Sequence, residues 1–318
     1  MKFPLYFSVC LLLLFAGCDL FTNEQPEIPG KLVFSTPDGN GNYQIYTSLT
    51  NGENRKQLTH FKNSGSSSPS WSPDGKQIVF RTSMQSTTSG ASIYVMNADG
   101  SKKRPLEGEF QGRTTIATGD DPVWSPDGNK IAYSLCINCE LGGGNSELFV
   151  YNIKNQSITQ ITSTLSKDFF PKWNTNEELF FISDREYYLV DSLRTKEDIF
   201  SFNFVNNEIL KITNTGEIGS FTFIPFTNEI LVRPSNGDST WYYLDYSNKE
   251  ISKLDLPVSF PRTYGSATIW SQDGNYILIR IGGFRNQKVK YLFYNVSTKT
   301  SVNFSDKPQL IHSMDWFY

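Results

Sequence analysis

This sequence predicts an all-β fold, a six-bladed β-propeller of four-stranded blades closed by a C-terminal strand that completes the first blade. Three observations carry that reading. A phrase recurs, PSWSPDGKQIVF at Pro69–Phe80 and PVWSPDGNKIAY at Pro122–Tyr133. A large aromatic recurs with it, at Trp71, Trp124, Trp173, Phe223, Trp270 and Trp316, every 46 to 53 residues, and a fixed period in that range marks repeat architectures. Composition agrees: aromatic residues make up 14% of the chain, mostly Phe and Tyr, separated by the Ser, Thr, Asn and Gly that short strands and tight turns require.

Before the repeats comes a targeting segment. Lys2, an apolar run from Val9 to Phe15 and the small residues Ala16 and Gly17 precede Cys18, the pattern of a secretory signal. The run is too short to span a bilayer comfortably. LFAGC resembles the lipobox of bacterial lipoproteins, which implies cleavage before Cys18 and a lipid on that residue. The expected division is therefore a signal peptide over 1–17, a lipidated tether over 18–29 and a propeller over 30–318. The lipid implies a protein anchored to a membrane of the bacterial cell envelope, periplasmic or surface-exposed.

Each repeat divides into strands A to D. In the unit at Trp71, SW ends strand A, SPDGK is a tight turn with Pro, Asp and Gly where turn dihedrals want them, QIVFRT is B, SIYVMN is C and KKRPL is D. The other C strands are QIYTS, LFVYN, IFSFN, WYYLD and YLFYN. The first unit, from KLVFST to RKQLT, lacks an A strand, while the final HSMDWFY is an A strand with nothing after it. Pairing the two closes the ring and covers edges that would otherwise be exposed. The recurring aromatic is then a packing element between neighbouring blades.

PSWSPDGKQIVF, PVWSPDGNKIAY and TIWSQDGNYILI are similar to the WD40-like β-propeller repeat of the TolB type, and the similarity runs through the chain after the tether. The units at Trp173 and Phe223 lack the SPDG turn. Proteins of that type carry an additional N-terminal domain for which the tether leaves no room, so the resemblance implies the fold, while the family's partner and role are not carried over.

The net charge of −3, with both signs mixed along the chain, excludes the basic footprint of a nucleic-acid binder. Two histidines, His60 and His312, leave little for zinc or acid–base chemistry; they could meet near the channel mouth, but two ligands make a poor metal site. No G-x-S-x-G elbow is present. No catalytic residue, cofactor or metal is therefore assigned.

In such blades the A–B and C–D turns share one face of the ring, and the B–C and D–A connections the other. Spacing is constant on the first face and variable on the second, where recognition loops usually sit. The longest variable connections, Glu107 to Asp121, Leu135 to Ser146 and Asp184 to Asp198, form one sector carrying Arg113, Asp120, Asp121, Glu140, Arg185, Tyr187, Tyr188 and Arg194. That sector is the candidate binding surface, with Tyr and Arg as anchors; tolerated insertions are the competing reading. Asp120 and Asp121 are either a calcium site or solvated acids, and no EF-hand spacing surrounds them. Cys136 and Cys139 read as a loop-tightening disulfide, and the glycines at 142–144 as flexibility. The expected function is an envelope module for protein–protein interaction or assembly, with the bilayer and an unidentified envelope protein or surface ligand as partners. The alternatives are a glycan- or small-ligand-binding component of a surface uptake system, for which an exposed Trp241 and rim tyrosines would form a stacking platform, and a propeller hydrolase or lyase.

Overall fold

The computed structural model describes residues 28–84, 91–137, 144–187, 196–235, 240–254, 268–281, 290–304 and 311–317. In chain order the strands are β1 (Lys31–Pro37), β2 (Tyr43–Leu49), β3 (Lys56–Gln57), β4 (Ser64–Trp71), β5 (Gln77–Met84), β6 (Ser92–Asn97) and β7 (Arg104–Pro105). A hairpin of β8 (Glu107–Phe110) and β9 (Arg113–Ile116) leads to β10 (Asp120–Trp124), β11 (Lys130–Ile137), β12 (Asn145–Asn152) and β13 (Ile158–Gln160). Then come β14 (Asp168–Thr175), β15 (Glu178–Ser183), β16 (Asp198–Asn203), β17 (Ile209–Lys211), β18 (Ile218–Phe223), β19 (Glu229–Pro234), β20 (Tyr242–Asp245) and β21 (Ile251–Lys253). The last are β22 (Thr268–Trp270), β23 (Tyr276–Ile281), β24 (Lys290–Asn295), β25 (Thr300–Asn303) and β26 (Ser313–Phe317).

These strands form six four-stranded antiparallel sheets. Blades 2 to 6 each take four consecutive strands, and blade 1 has the order β26-β1-β2-β3. Closure by the C-terminal strand is thus as expected, with Lys31 opposite Phe317 and Ser35 opposite Ser313. The inner strands follow one another round the axis as β26, β4, β10, β14, β18, β22 and back to β26. A hydrophobic cluster sits between each pair of neighbouring blades, from Val33 and Ile45 against Trp71 and Phe80 between blades 1 and 2 to Leu278 and Phe293 against Leu32 and Trp316 between blades 6 and 1. The core is therefore a ring of six seams. Each of the five recurring tryptophans on the inner strands is at most 8% exposed; Phe223 is half-buried and meets Phe180 edge-on at 5.0 Å.

The recurring phrase has a local explanation. In SPDG the Ser72 hydroxyl donates to the Asp74 carboxylate (2.7 Å) and accepts from the Gln77 N–H (2.9 Å), while Gly75 takes the left-handed φ of 67° that closes the turn. Ser125 and Ser271 repeat the arrangement and are fully buried. The hydroxyl of Ser72, with the Lys76 N–H, holds the Asp74 carboxyl below its ordinary value. Gly75 has a second duty, since a Cβ there would run into the Phe317 ring of the closing strand. Gly75→Ala combines a strained backbone with that collision and is expected to lower stability by about 1–3 kcal/mol, read as a lower urea midpoint.

The other end of three blades is fixed by a polar pair fifteen residues apart. The hydroxyls of Thr59, Thr162 and Thr213 accept from the N–H groups of Ile45, Leu148 and Ile199 at 2.8 to 2.9 Å. The side chains of Gln44, Glu147 and Asp198 then gather the chain that follows: Gln44 accepts from the Phe61 N–H, Glu147 from the Thr164 N–H, and Asp198 from the Thr215 and Gly216 N–H groups. Each D–A connection thus leaves its blade at a fixed angle.

One variable connection is more ordered than its sequence suggests. Residues 107–116 form the β8–β9 hairpin, turned by Gln111 and Gly112 with φ of 50° and 75°, the left-handed pair that a two-residue hairpin turn demands. The hairpin lies against the outer edge of blade 3: the Glu109 N–H donates to the Gln156 carbonyl (2.8 Å), and Phe110 meets Phe149 at 5.8 Å.

Candidate functional site

Inner strands run from the variable-loop face to the turn face, so their first residues rim the mouth of the axial channel and later ones line its depth. Three of them bulge at the same point, three residues before the tryptophan, where Ser68, Asp121 and Phe170 take φ of 48°, 50° and 52°. A bulge re-aims a side chain. Asp121 accepts from the Ser68 hydroxyl of the next blade at 3.0 Å. Phe170 is left 40% exposed at the mouth, edge-on to Phe169 at 5.1 Å.

Deeper in, Asp315 of β26 accepts from the Trp71 and Trp316 N–H groups at 2.7 and 2.9 Å and from the Ser70 side chain. Lys172 of β14 carries the facing positive charge and is coupled to both Asp315 and Asp121. Blades 1 and 4 stand on opposite sides of the ring, so Lys172 and Asp315 feel one another across the axis. All three groups keep intermediate solvent accessibility while protein surrounds them, as lumen-lining side chains do. Enclosure pushes the Asp315 and Asp121 carboxyls up and the Lys172 ammonium down. Among the described residues Lys172 has no carboxylate within 4 Å.

The sector read from sequence is only partly a free surface. Asp120 forms an ion pair with Arg81, so Asp120 and Asp121 point to different partners rather than into one cage. Arg185 is tucked in: its guanidinium meets the fully buried Asp168 carboxylate at 2.9 Å and lies over the rings of Phe181 and Phe200 at 5.0 and 4.9 Å. Tyr187 donates its hydroxyl to Asp198 at 3.0 Å. Both therefore brace the loop. Arg113 is exposed on the hairpin. Glu140, Tyr188 and Arg194 lie outside the described residues, as do Cys18 and Cys139; Cys136 is disulfide-bonded. His312 packs edge-on against Tyr43 at 5.3 Å, and among the described residues no three His, Cys, Asp or Glu side chains converge as a metal would require. Trp241 corrects an expectation: it is 6% exposed in the seam between blades 5 and 6, packed with Trp270 and Ile277, because that blade needs an aromatic there, and it offers no stacking platform.

Beside this sector Glu197 is pushed up to about 7 by burial and by the neighbouring Asp184 carboxylate, against the pull of Lys167. An unfolded glutamate titrates near 4.5. Between those values the folded chain keeps a proton that the unfolded chain has lost, so this contribution is complete below pH 4.5 and is lost as pH rises through 7. Glu197→Gln is expected to reduce the fall in urea midpoint between pH 5 and pH 8 relative to the wild type.

No family model matches the chain. Over 154 residues, 48% of the chain, it is 31% identical to the Tol-Pal system protein TolB of Anaeromyxobacter dehalogenans, covering 32% of that protein. The solved structure of TolB from Acinetobacter baumannii superposes on 91% of the chain and 67% of its own length, with a TM-score of 0.69 and 16% identity. The fold is that of a TolB-like β-propeller. A putative TolB from Agrobacterium tumefaciens superposes over 91% of this propeller and 98% of itself, at TM-score 0.62 and 14% identity. Enzymes share the architecture. An oligogalacturonate lyase in complex with manganese reaches TM-score 0.58 at 13% identity, covering 86% of the TolB-like propeller and 73% of the lyase. An uncharacterized peptidase of Bacillus subtilis, YuxL, is 33% identical over 106 residues, 33% of the chain and 14% of the peptidase. The chain thus spans about a third or less of the curated relatives it matches.

Proposed function

We propose that the chain is a lipoprotein of the bacterial cell envelope, anchored through Cys18, whose TolB-like propeller serves as a protein-binding or assembly module without catalysis. The observation that carries this is the channel mouth, where Phe170 is held exposed in a left-handed conformation above a lumen that holds Lys172, Asp121 and Asp315. A non-Gly residue in that region is strained, and such strain persists at ligand clamps and recognition surfaces. Leu165, 68% exposed in the connection that enters β14, belongs to the same face, and Arg113, Glu140, Tyr188 and Arg194 are the proposed anchors. The similarity to TolB of the Tol-Pal system supports both the envelope location and the interaction role. The burial of Trp241 removes the main support for glycan stacking, and the activities of the lyase and the peptidase are not carried over from fold likeness.

The test is a crosslinking pull-down of the intact lipoprotein from its native envelope, beside a Leu165→Ser, Phe170→Ser variant and a Tyr188→Ala, Arg194→Ala variant. A protein captured by the wild type and lost from either variant supports recognition through this face. Capture of the same partner by all three removes the proposed surface.

A further inference from the structure

The chain leaves the propeller on a defined side. The Ile28 carbonyl accepts from the Thr50 hydroxyl in the β2–β3 turn, and the Pro29 carbonyl accepts from the indole N–H of Trp316 at 3.3 Å. Both anchors lie at the end of blade 1 where Lys31 pairs with Leu49 and Phe317. That is the face of the A–B and C–D turns, opposite the channel mouth described above.

Covalent reach then limits the orientation. From Cys18 to Ile28 is ten residues, at most about 35 Å fully extended. Bringing the variable-loop face to the membrane would take the tether outward past β2 and β3, about 10 Å, and then down the length of a seven-residue strand, about 23 Å. Nearly all the slack would be consumed. With the turn face towards the lipid, none of that detour is needed.

A second, independent feature marks the same face. Val205, in the β16–β17 turn of blade 4, is 70% exposed, and Phe226, in the β18–β19 turn of blade 5, is 90% exposed. Phe226 holds a φ of 64° and stands where the SPDG blades place their aspartate. An aromatic both strained and fully presented has no reason in the packing of the blade. Blade 4 lies across the ring from the exit at blade 1 and blade 5 stands beside it, so tether and apolar tips share one face at separate points of the disc.

We propose that the turn face rests on the lipid bilayer, with Phe226 and Val205 set into the headgroup region, and that the channel mouth points away from the membrane. This rests on the lipid at Cys18 proposed above. Amphipathic surface contact of this kind adds to a covalent chain without spanning the membrane.

The experiment places a single environment-sensitive fluorophore on Phe226→Cys, Val205→Cys, Leu165→Cys or Ile116→Cys in the purified lipidated protein. Each is bound to phosphatidylcholine vesicles with brominated acyl chains, beside a Cys18→Ser control, after circular dichroism has shown a native fold. Expected is quenching by at least twofold at positions 226 and 205 and none at 165 and 116. Quenching at 165 or 116, or none at any site in protein that has bound through its lipid, overturns the orientation alone. Wild type that partitions no better than Cys18→Ser overturns the lipid anchor and the orientation with it.

Discussion

Ending the chain at His312 is expected to abolish cooperative folding of the whole ring. The strand lost, β26, serves three blades at once. It is the inner strand of blade 1, hydrogen-bonded along β1 from Ser35 to Lys31. Towards blade 6 it sends Trp316, 5.1 Å from Phe293. Towards blade 2 it offers the Asp315 carboxylate to the Trp71 N–H, the Ser313 hydroxyl to the Ser68 N–H at 2.8 Å, and Phe317 to the Trp71 ring at 5.8 Å. Its removal exposes the edge of β1 and opens the seams on both sides, and an unpaired apolar edge of that length invites aggregation. Urea unfolding followed by tryptophan fluorescence should lose its sigmoidal transition, with high-molecular-weight material in size-exclusion chromatography. Trp316→Ala tests one part of the strand and is expected to cost about 3–5 kcal/mol, the range for emptying a buried aromatic site. A truncated chain that unfolds at the wild-type midpoint would show that the other four seams suffice.

Asp198→Ala is expected to have the next largest effect. The carboxylate is fully buried and wholly employed: one oxygen accepts from the Thr213 hydroxyl (2.7 Å) and the Thr215 and Gly216 N–H groups (2.9 and 3.1 Å), and the other accepts from the Tyr187 hydroxyl and lies 3.2 Å from the Lys211 ammonium. Burial alone would push this carboxyl up; the donors from Thr213, Thr215 and Gly216 outweigh it and hold it low. Alanine leaves those donors and the ammonium without their acceptor, and removing one member of a buried charged pair costs about 3–5 kcal/mol. Because the folded carboxyl titrates below its unfolded value, its contribution is present at neutral pH and is lost as pH falls through the folded value. The wild type should therefore lose more stability on acidification than Asp198→Asn, whose midpoint at pH 7 should already be lower. Equal acid sensitivity in the two proteins would remove Asp198 as the cause.

Much of this was legible in the sequence, for identifiable reasons. The tryptophan period and the SPDG turn expose the blade count, because every blade must bury an aromatic in a seam and reverse direction after it. The odd first unit and the solitary HSMDWFY reveal the closure. The β8–β9 hairpin was not legible: RTTI is exposed along its whole length and so shows no alternation from which a strand could be read. The channel cluster was hidden for another reason. Asp315 and Lys172 each precede a tryptophan, and whether that position meets the lumen depends on how blades tilt about the axis, which no local pattern encodes. Arg185 and Tyr187 were read as anchors from residue type; their partners, Asp168 and Asp198, lie 17 and 11 residues away, and type alone cannot show that a side chain is already engaged.

The pairing of β26 with β1 also sets a timetable. Ser35 and Ser313, whose hydroxyls meet at 2.9 Å, are 278 residues apart, so the contact that completes blade 1 has one of the largest sequence separations in the chain. Hairpins within blades 2 to 6 can form as soon as each is made, whereas β1 waits with an open edge until residue 317 exists. Loop-closure entropy must be met before that contact yields any gain, which makes non-local β pairing slow. The exposed edge of β1 is thus where a folding helper would have most to protect.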